Sequence, residues 1–256
     1  MQMVTLNKDD IYQGPLVLVN HNYPIANNYQ ITNCSTAKDS TISLEKTAME
    51  MLTKALQEIK AEDKIVLVSG LRSGQEQAMI YNQAIQNHGK EFVDKFVARV
   101  NCSEHQTGLA IDLAVKNETI DIFCPDFTSQ EICQQFRDIA SDYGFIQRYS
   151  KNKIDFTKIS EEPWHFRYVG IVHAKIMEEN QWCFEEYHLY IKNHLYIKNH
   201  SIFNPYVLEC QGKLVEVFYV PAVNEQTKLN LSDHGSYQIS GNNCDGFIIT
   251  SWRPYV

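Results

Sequence analysis

A chain of 256 residues can form one good-sized domain, or one domain with a small appendage. Apolar residues at 44% and charged ones at 21% exclude a disordered composition, and a net charge of −8 excludes a nucleic-acid backbone as partner. The opening MQMVTLNKDDIYQG lacks the basic and apolar regions of a secretory signal, and no apolar run approaches the ~20 residues that span a bilayer. Seven scattered cysteines form no CxxC pair, which reads as reduced thiols in a cytoplasmic protein.

In chain order, PLVLV (15–19) predicts a short buried strand. TISLEKTAMEMLTKALQEI (41–59) sets Leu44, Ala48, Met51, Leu52, Ala55 and Ile59 at helical spacing and predicts an amphipathic helix. KIVLVSG (64–70) is a strand ending on glycine, and RSGQEQAMIYNQAIQNHG (72–89) a helix stopped by Gly89. EFVDKFVARV (91–100) is ambiguous. GLAIDLAV (108–115) reads as a strand, and SQEICQQFRDIASDYG (129–144) as a helix with Ser129 as N-cap and Gly144 past its end. FIQRY (145–149) and WHFRYV (164–169) are further strands, followed by helices over 171–180 and 184–200.

The last helix contains a direct repeat, HLYIKN (188–193) then HLYIKN (194–199), ending at His200. It reads as a local duplication that lengthens the helix. Six residues turn a helix by about 600°, so His188, His194 and His200 face sides about 120° apart and make poor co-ligands. From about residue 205 the pattern becomes strand-like, in LVEVFYVP, SYQIS and FIITSW, with NNCDG as a hairpin turn. The expected domains are 1–203 and a β-rich extension, 204–256.

Two stretches carry candidate chemistry. In SEHQTGLAIDL, His105 and Asp112 are suitable zinc ligands, and Gly108 permits a sharp turn between them. Alone, the pair fits a buried histidine–aspartate hydrogen bond equally well. In SEEPWHFRYVG, His165 supplies a third ligand type. Glu162, its backbone restricted by Pro163, lies near enough to act as base beside a metal. Trp164 and Phe166 would form an apolar wall, and Glu161 reads as a solvated charge. In SGLRSGQEQ, Arg72 leaves a strand at a helix start, where a guanidinium can bind the negative charge developing in amide hydrolysis. Ser69, Ser73 and Gln77 are polar neighbours suited to substrate hydrogen bonds.

Together, SGLRS…Q, SEHQTGLAIDL and EPWHFRYVG resemble the zinc D,D-peptidases of vancomycin resistance, of VanY, VanX and combined VanXY type. The family pattern S-x-H-x-x-G-x-A-x-D followed by E-x-x-H is matched by Ser103, His105, Gly108, Ala110, Asp112, Glu162 and His165. The resemblance implies an α+β fold with a central antiparallel sheet and flanking helices, to which this sequence adds the small C-terminal β appendage that shorter members lack. It implies one zinc ion held by His105, Asp112 and His165, with Glu162 as base and Arg72 stabilising the intermediate. Ser103, with Ser73 or Gln77, would bind the substrate's carboxylate or backbone. Implied substrates are D-Ala-D-Ala and peptidoglycan precursors ending in it. The motif wording is closer to VanY and VanXY than to VanX, and the lack of a signal or anchor points to the cytoplasmic VanXY type. Ser69 stands where some dipeptide-cleaving relatives carry an acid, which leaves the dipeptidase–carboxypeptidase balance open. A murein endopeptidase of the same architecture and a zinc-stabilised precursor-binding protein are the rival expectations.

Overall fold

The structure, a computed structural model, describes residues 2–31, 33–128, 130–194, 197–198, 201–202, 205–231 and 235–253. In chain order the elements begin with β1 (Gln2–Asn7), β2 (Cys34–Thr36), β3 (Ser43–Glu45), α1 (Lys46–Glu58) and β4 (Ile65–Ser69). Next come α2 (Gly74–His88), α3 (Lys90–Phe96), β5 (Ala110–Val115), α4 (Glu131–Ile139) and β6 (Phe145–Tyr149). They are followed by α5 (Ile154–Thr157), β7 (Glu162–Tyr168), α6 (Ile171–Asn180) and α7 (Phe184–His194). Short β8 (Ile197–Lys198) and β9 (Ser201–Ile202) lead to β10 (Tyr206–Cys210), β11 (Lys213–Pro221), β12 (Gln226–Leu231), β13 (Ser236–Gly241) and β14 (Gly246–Arg253).

The fold is α+β, as expected, but no single central sheet organises it. Two four-stranded antiparallel sheets, β4-β5-β7-β6 and β10-β11-β14-β13, stand beside the pairs β1-β12, β2-β3 and β8-β9. Contacts divide the chain into two units, one of Val19–Ile25 and Gln30–Cys183, the other of Met1–Leu18, Ala26–Tyr29 and Phe184–Val256.

The first unit is built on β4-β5-β7-β6. β5, AIDLAV, is buried along its whole length, so its sequence is nearly continuous apolar with one charge, Asp112. Its outer residues Ile111 and Leu113 join Leu44, Leu52, Phe136 and Phe166 in one core. The rings of Phe127, Phe136 and Phe166 meet edge to face, with centroids 4.9 to 5.9 Å apart. α1 buries Ala48, Met49, Leu52, Ala55 and Leu56 on one stripe and is capped by the Glu45 carboxylate accepting from Ala48 N–H. The helix expected from residue 41 therefore begins at Lys46. Ser43–Glu45 instead pairs with β2, and Ser43 O accepts the Leu71 N–H at 2.7 Å. Residues 90–96 of the ambiguous stretch are helical. Ser129, the expected cap of α4, lies outside the described residues.

The second unit buries Phe218, Val220, Phe247 and Ile249 of its sheet with Leu229, Leu231 and Ile11. β1 pairs antiparallel with β12, from Gln2↔Leu231 to Asn7↔Gln226. Hydrogen bonds thus tie the N-terminal strand to the region beyond 203, where a β-rich extension was expected. PLVLV is buried but forms no strand. Leu16 N–H donates to Ser240 Oγ at 2.9 Å, Leu18 O accepts from Asn243 Nδ2 at 2.8 Å, and Leu18 N–H donates to Asn242 O at 3.5 Å, with no sheet ladder. NNCDG is the β13–β14 turn, with Asn242 Oδ1 accepting the N–H groups of Cys244, Asp245 and Gly246. The duplication does not extend α7 to residue 200: helix ends at His194, and Ile197–Lys198 pairs with Ser201–Ile202. His200 lies outside the described residues.

Candidate metal centre and active site

The site grows from the edge-to-edge pairing of three strands. Asp112 on β5 lies opposite Ser69 of β4 on one side and His165 of β7 on the other. His105 reaches the same place from a short 3-10 turn, Glu104–Thr107, which ends at Gly108 in the left-handed region, φ +73°. A Cβ at Gly108 would stand 3.2 Å from Glu45 N, whose N–H donates to Gly108 O at 2.8 Å. The turn is locked to the segment that follows β4 by two further bonds. Arg72 N–H donates to His105 O at 3.1 Å, and His105 Nδ1 donates to Gly70 O at 2.7 Å.

Because a carbonyl only accepts, His105 Nδ1 carries the hydrogen and Nε2 faces inward with a lone pair, 3.1 Å from Asp112 Oδ2. His165 meets Asp112 through the other nitrogen, Nδ1 to Oδ1 at 2.9 Å. The ligand atoms of His105, Asp112 and His165 all lie within 4.8 Å of one another, and all three residues are buried. Two imidazoles and a carboxylate, with each outward ring nitrogen facing an acceptor, fit a divalent metal of zinc type. His188 and His194 join no such cluster among the described residues.

Around this trio, Arg72 makes three side-chain bonds: Nε to Ser69 Oγ at 2.6 Å, one terminal nitrogen to Gln77 Oε1 at 3.3 Å and the other to Asp112 Oδ2 at 2.8 Å. Gln77 is held in turn by Nε2 donating to Ala98 O at 2.7 Å. Glu162 Oε2 is 3.9 Å from His165 Nδ1. Arg72, Gln77, Ser103, Glu162 and Trp164 line one cavity of about 60 Å³ with the three candidate ligands. Three expected residues do not line the cavity. Ser69 accepts from Arg72 Nε, Ser73 is the N-cap of α2, exchanging hydrogen bonds with Glu76, and Phe166 is in the core.

Electrostatics separates the roles of these groups. Burial raises the Glu162 carboxyl to about 8, with His165 opposing and Asp112 adding to the rise. Burial and the Arg72 charge lower His105 to about 4, which keeps it neutral. Burial works against charge on His165 as well, but the Asp112 and Glu104 carboxylates beside it outweigh burial and raise that ring to about 9. Asp112 is held well below the usual carboxylate range, since its two histidine partners overcome burial.

The sequence reading missed Glu104. Its side chain is completely buried, with Oε1 bonded to Arg148 Nε at 2.8 Å and 3.0 Å from a terminal nitrogen of Arg167. Its other oxygen is 3.5 Å from His165 Nε2. Tyr149, whose ring centroid is 5.0 Å from that of His165, was missed too. An isolated acid between two motif letters carries no spacing signal.

Comparison with known proteins settles the family. The VanY family of D-alanyl-D-alanine carboxypeptidases matches residues 41–171, half of the chain. The chain is 36% identical over 179 residues to the bifunctional D-Ala-D-Ala dipeptidase and D-Ala-D-Ala carboxypeptidase VanXYC of Enterococcus gallinarum. That alignment covers 69% of this chain and 94% of the relative.

The chain belongs to the VanY family.

Among solved structures, it is similar to the vancomycin-resistance D,D-dipeptidase VanXYg, solved with a D-Ala-D-Ala phosphinate analogue. The TM-score is 0.92 at 42% identity, over 98% of this chain and 99% of that one. The D,D-pentapeptidase VanY from a VanB-type resistance cassette, a variant solved with Zn(II), matches at TM-score 0.59 and 26% identity. That match covers 68% of this chain and 98% of the other. No helix among the described residues is long and apolar enough to cross a membrane.

Proposed function

We propose that this protein is a zinc-dependent D,D-peptidase that hydrolyses D-Ala-D-Ala and removes terminal D-alanine from peptidoglycan precursors, contributing to glycopeptide resistance. The observation that carries this reading is the meeting, in one cavity, of His105, Asp112 and His165 with a buried carboxyl and a braced guanidinium. The names and bound analogues of VanXYC and VanXYg support the substrate class. Action in a reducing compartment, the cytoplasm, fits seven free cysteines.

His105 Nε2, His165 Nδ1 and an Asp112 oxygen would hold one zinc ion. When bound, zinc supplies a Lewis acid that polarises a carbonyl and lowers the pKa of water. Glu162 takes a proton from the attacking water on its carboxylate and returns it to the leaving D-alanine nitrogen. Burial raises this carboxyl, and the charge of a bound cation would oppose that rise, which favours the carboxylate that accepts the first proton. Arg72 faces the negative charge that develops on the carbonyl oxygen. Ser69 and Gln77 keep its planar fork aimed, so little reorganisation accompanies the reaction. Ser103, buried on the cavity wall, offers a hydroxyl to the substrate's terminal carboxylate, and Trp164 excludes water beside it.

The test measures D-alanine released by zinc-loaded protein from D-Ala-D-Ala, D-Ala-D-Ser and a precursor pentapeptide, with purified sacculi as a fourth substrate. Release from substrates ending in D-Ala-D-Ala, abolished by a chelator and restored by zinc, is the expected result. Cleavage of sacculi alone would move the assignment to a murein endopeptidase, and no release from any substrate would leave only a binding role.

A further inference from the structure

Glu104 sits between two residues of the motif and lines the cavity beside the three candidate ligands. Its surroundings are unusual for a surface turn. The carboxylate is wholly buried and so are the Arg148 and Arg167 side chains that reach its Oε1. Arg167 lies two residues beyond His165 on β7, hence on the same face. Arg148 comes from β6, at a register shift opposite that strand. A buried ion-pair cluster of this kind adds little stability over an apolar packing of the same volume. Stability alone therefore does not account for it.

The geometry of the second oxygen does. Glu104 Oε2 and His165 Nε2 are both buried, and neither has a normal hydrogen bond among the described residues. They face each other at 3.5 Å. We propose that Glu104 is a positioning residue for the metal centre. Clamped through Oε1 by Arg148 and Arg167, it presents Oε2 to His165 Nε2, fixes that ring with its hydrogen on Nε2, and thereby turns Nδ1 inward as the ligand.

The two histidines are then set oppositely. A backbone carbonyl, Gly70 O, makes His105 ligate through Nε2, and a side-chain carboxylate makes His165 ligate through Nδ1. The carboxylate that orients the third ligand is the residue adjoining the first, so the two sequence motifs are joined behind the metal as well as at it. This inference rests on the zinc-peptidase reading for the identity of the metal, but its test needs no substrate.

Replacing Glu104 by Gln keeps the side chain's size and an oxygen for the arginines, but aims an N–H donor at His165 Nε2. That ring must then carry its hydrogen on Nδ1, the nitrogen needed by the metal. Zinc affinity, read by competition with a chromophoric chelator, is expected to fall about 10- to 100-fold in Glu104→Gln. Long-range 15N–1H spectra of the zinc-loaded wild type are expected to show His165 protonated at Nε2 and metal-bound at Nδ1. Zinc affinity of the folded Gln variant within twofold of wild type would overturn the proposal, as would a wild-type spectrum with Nε2 metal-bound. The wild-type spectrum decides even if Glu104→Gln fails to fold. If tautomer and affinity come out as expected while no D-alanine is released from any substrate, the peptidase reading fails and the positioning role stands.

Discussion

Glu162 shows how much of a residue's chemistry comes from its surroundings. Desolvation pushes this carboxyl towards neutrality, the Asp112 and Glu104 charges add to the push, and His165 and Arg72 pull it back. Replacing it by Gln removes the proton acceptor without touching a candidate ligand. Glu162→Gln is expected to bind zinc normally, by metal analysis, while kcat falls about 10²- to 10⁴-fold. Arg72 is the complementary case. Lys provides one compact charge where Arg72 reaches Ser69, Gln77 and Asp112 at once. Arg72→Lys is expected to lose about 10²-fold or more in kcat with a smaller change in KM, measured on D-Ala-D-Ala. Ligand-type residues were legible from the sequence because the pattern fixes their order and spacing. Glu104 was not, because its partners at 148 and 167 lie on two other strands and obey no local period.

At the level of elements, periodicity located most helices and strands but misplaced their limits where tertiary bonds decide. Residues 41–45 continue the apolar spacing of α1, yet Ser43 O is taken by Leu71 N–H, which draws them into a strand. PLVLV has the composition of a strand and the burial of one, but its backbone bonds include the side chains of Ser240, Asn243 and His188 and the Asn242 carbonyl. No reading of five residues could anticipate partners so distant in sequence. Ser73 illustrates the same competition at a helix start. Its hydroxyl accepts Glu76 N–H at 3.1 Å while the Glu76 carboxylate accepts Ser73 N–H at 2.7 Å, a reciprocal cap. Ser73→Ala is therefore expected to cost roughly 1 kcal/mol in urea unfolding with kcat/KM nearly unchanged. A large rise in KM would return Ser73 to the substrate.

Across the molecule, acid sensitivity has one clear source outside the metal site. Burial lowers His173 in α6 to about 3, so the folded chain keeps it neutral while an unfolded chain protonates it below about 6.5. Stability from this residue is complete above the unfolded value and is lost as pH falls towards the folded one. Between pH 7 and pH 5 the wild type is expected to lose about 2 kcal/mol more than His173→Gln, by urea unfolding at each pH. Equal losses would remove His173 as the cause. The two contact-defined units suggest a cut as well: residues 19–183 are expected to bind zinc and melt cooperatively, whereas a chain ended at 203 strips β1 of β12. Aggregation of the first and a clean melt of the second would reverse that division. The β1–β12 pair also sets a schedule for the nascent chain. At about 5–20 residues per second, β1 leaves the ribosome on the order of tens of seconds before its partner strand exists. The metal-site residues emerge within that interval, while β1 waits without its partner strand and depends on chaperones or its own polar side chains to stay unpaired.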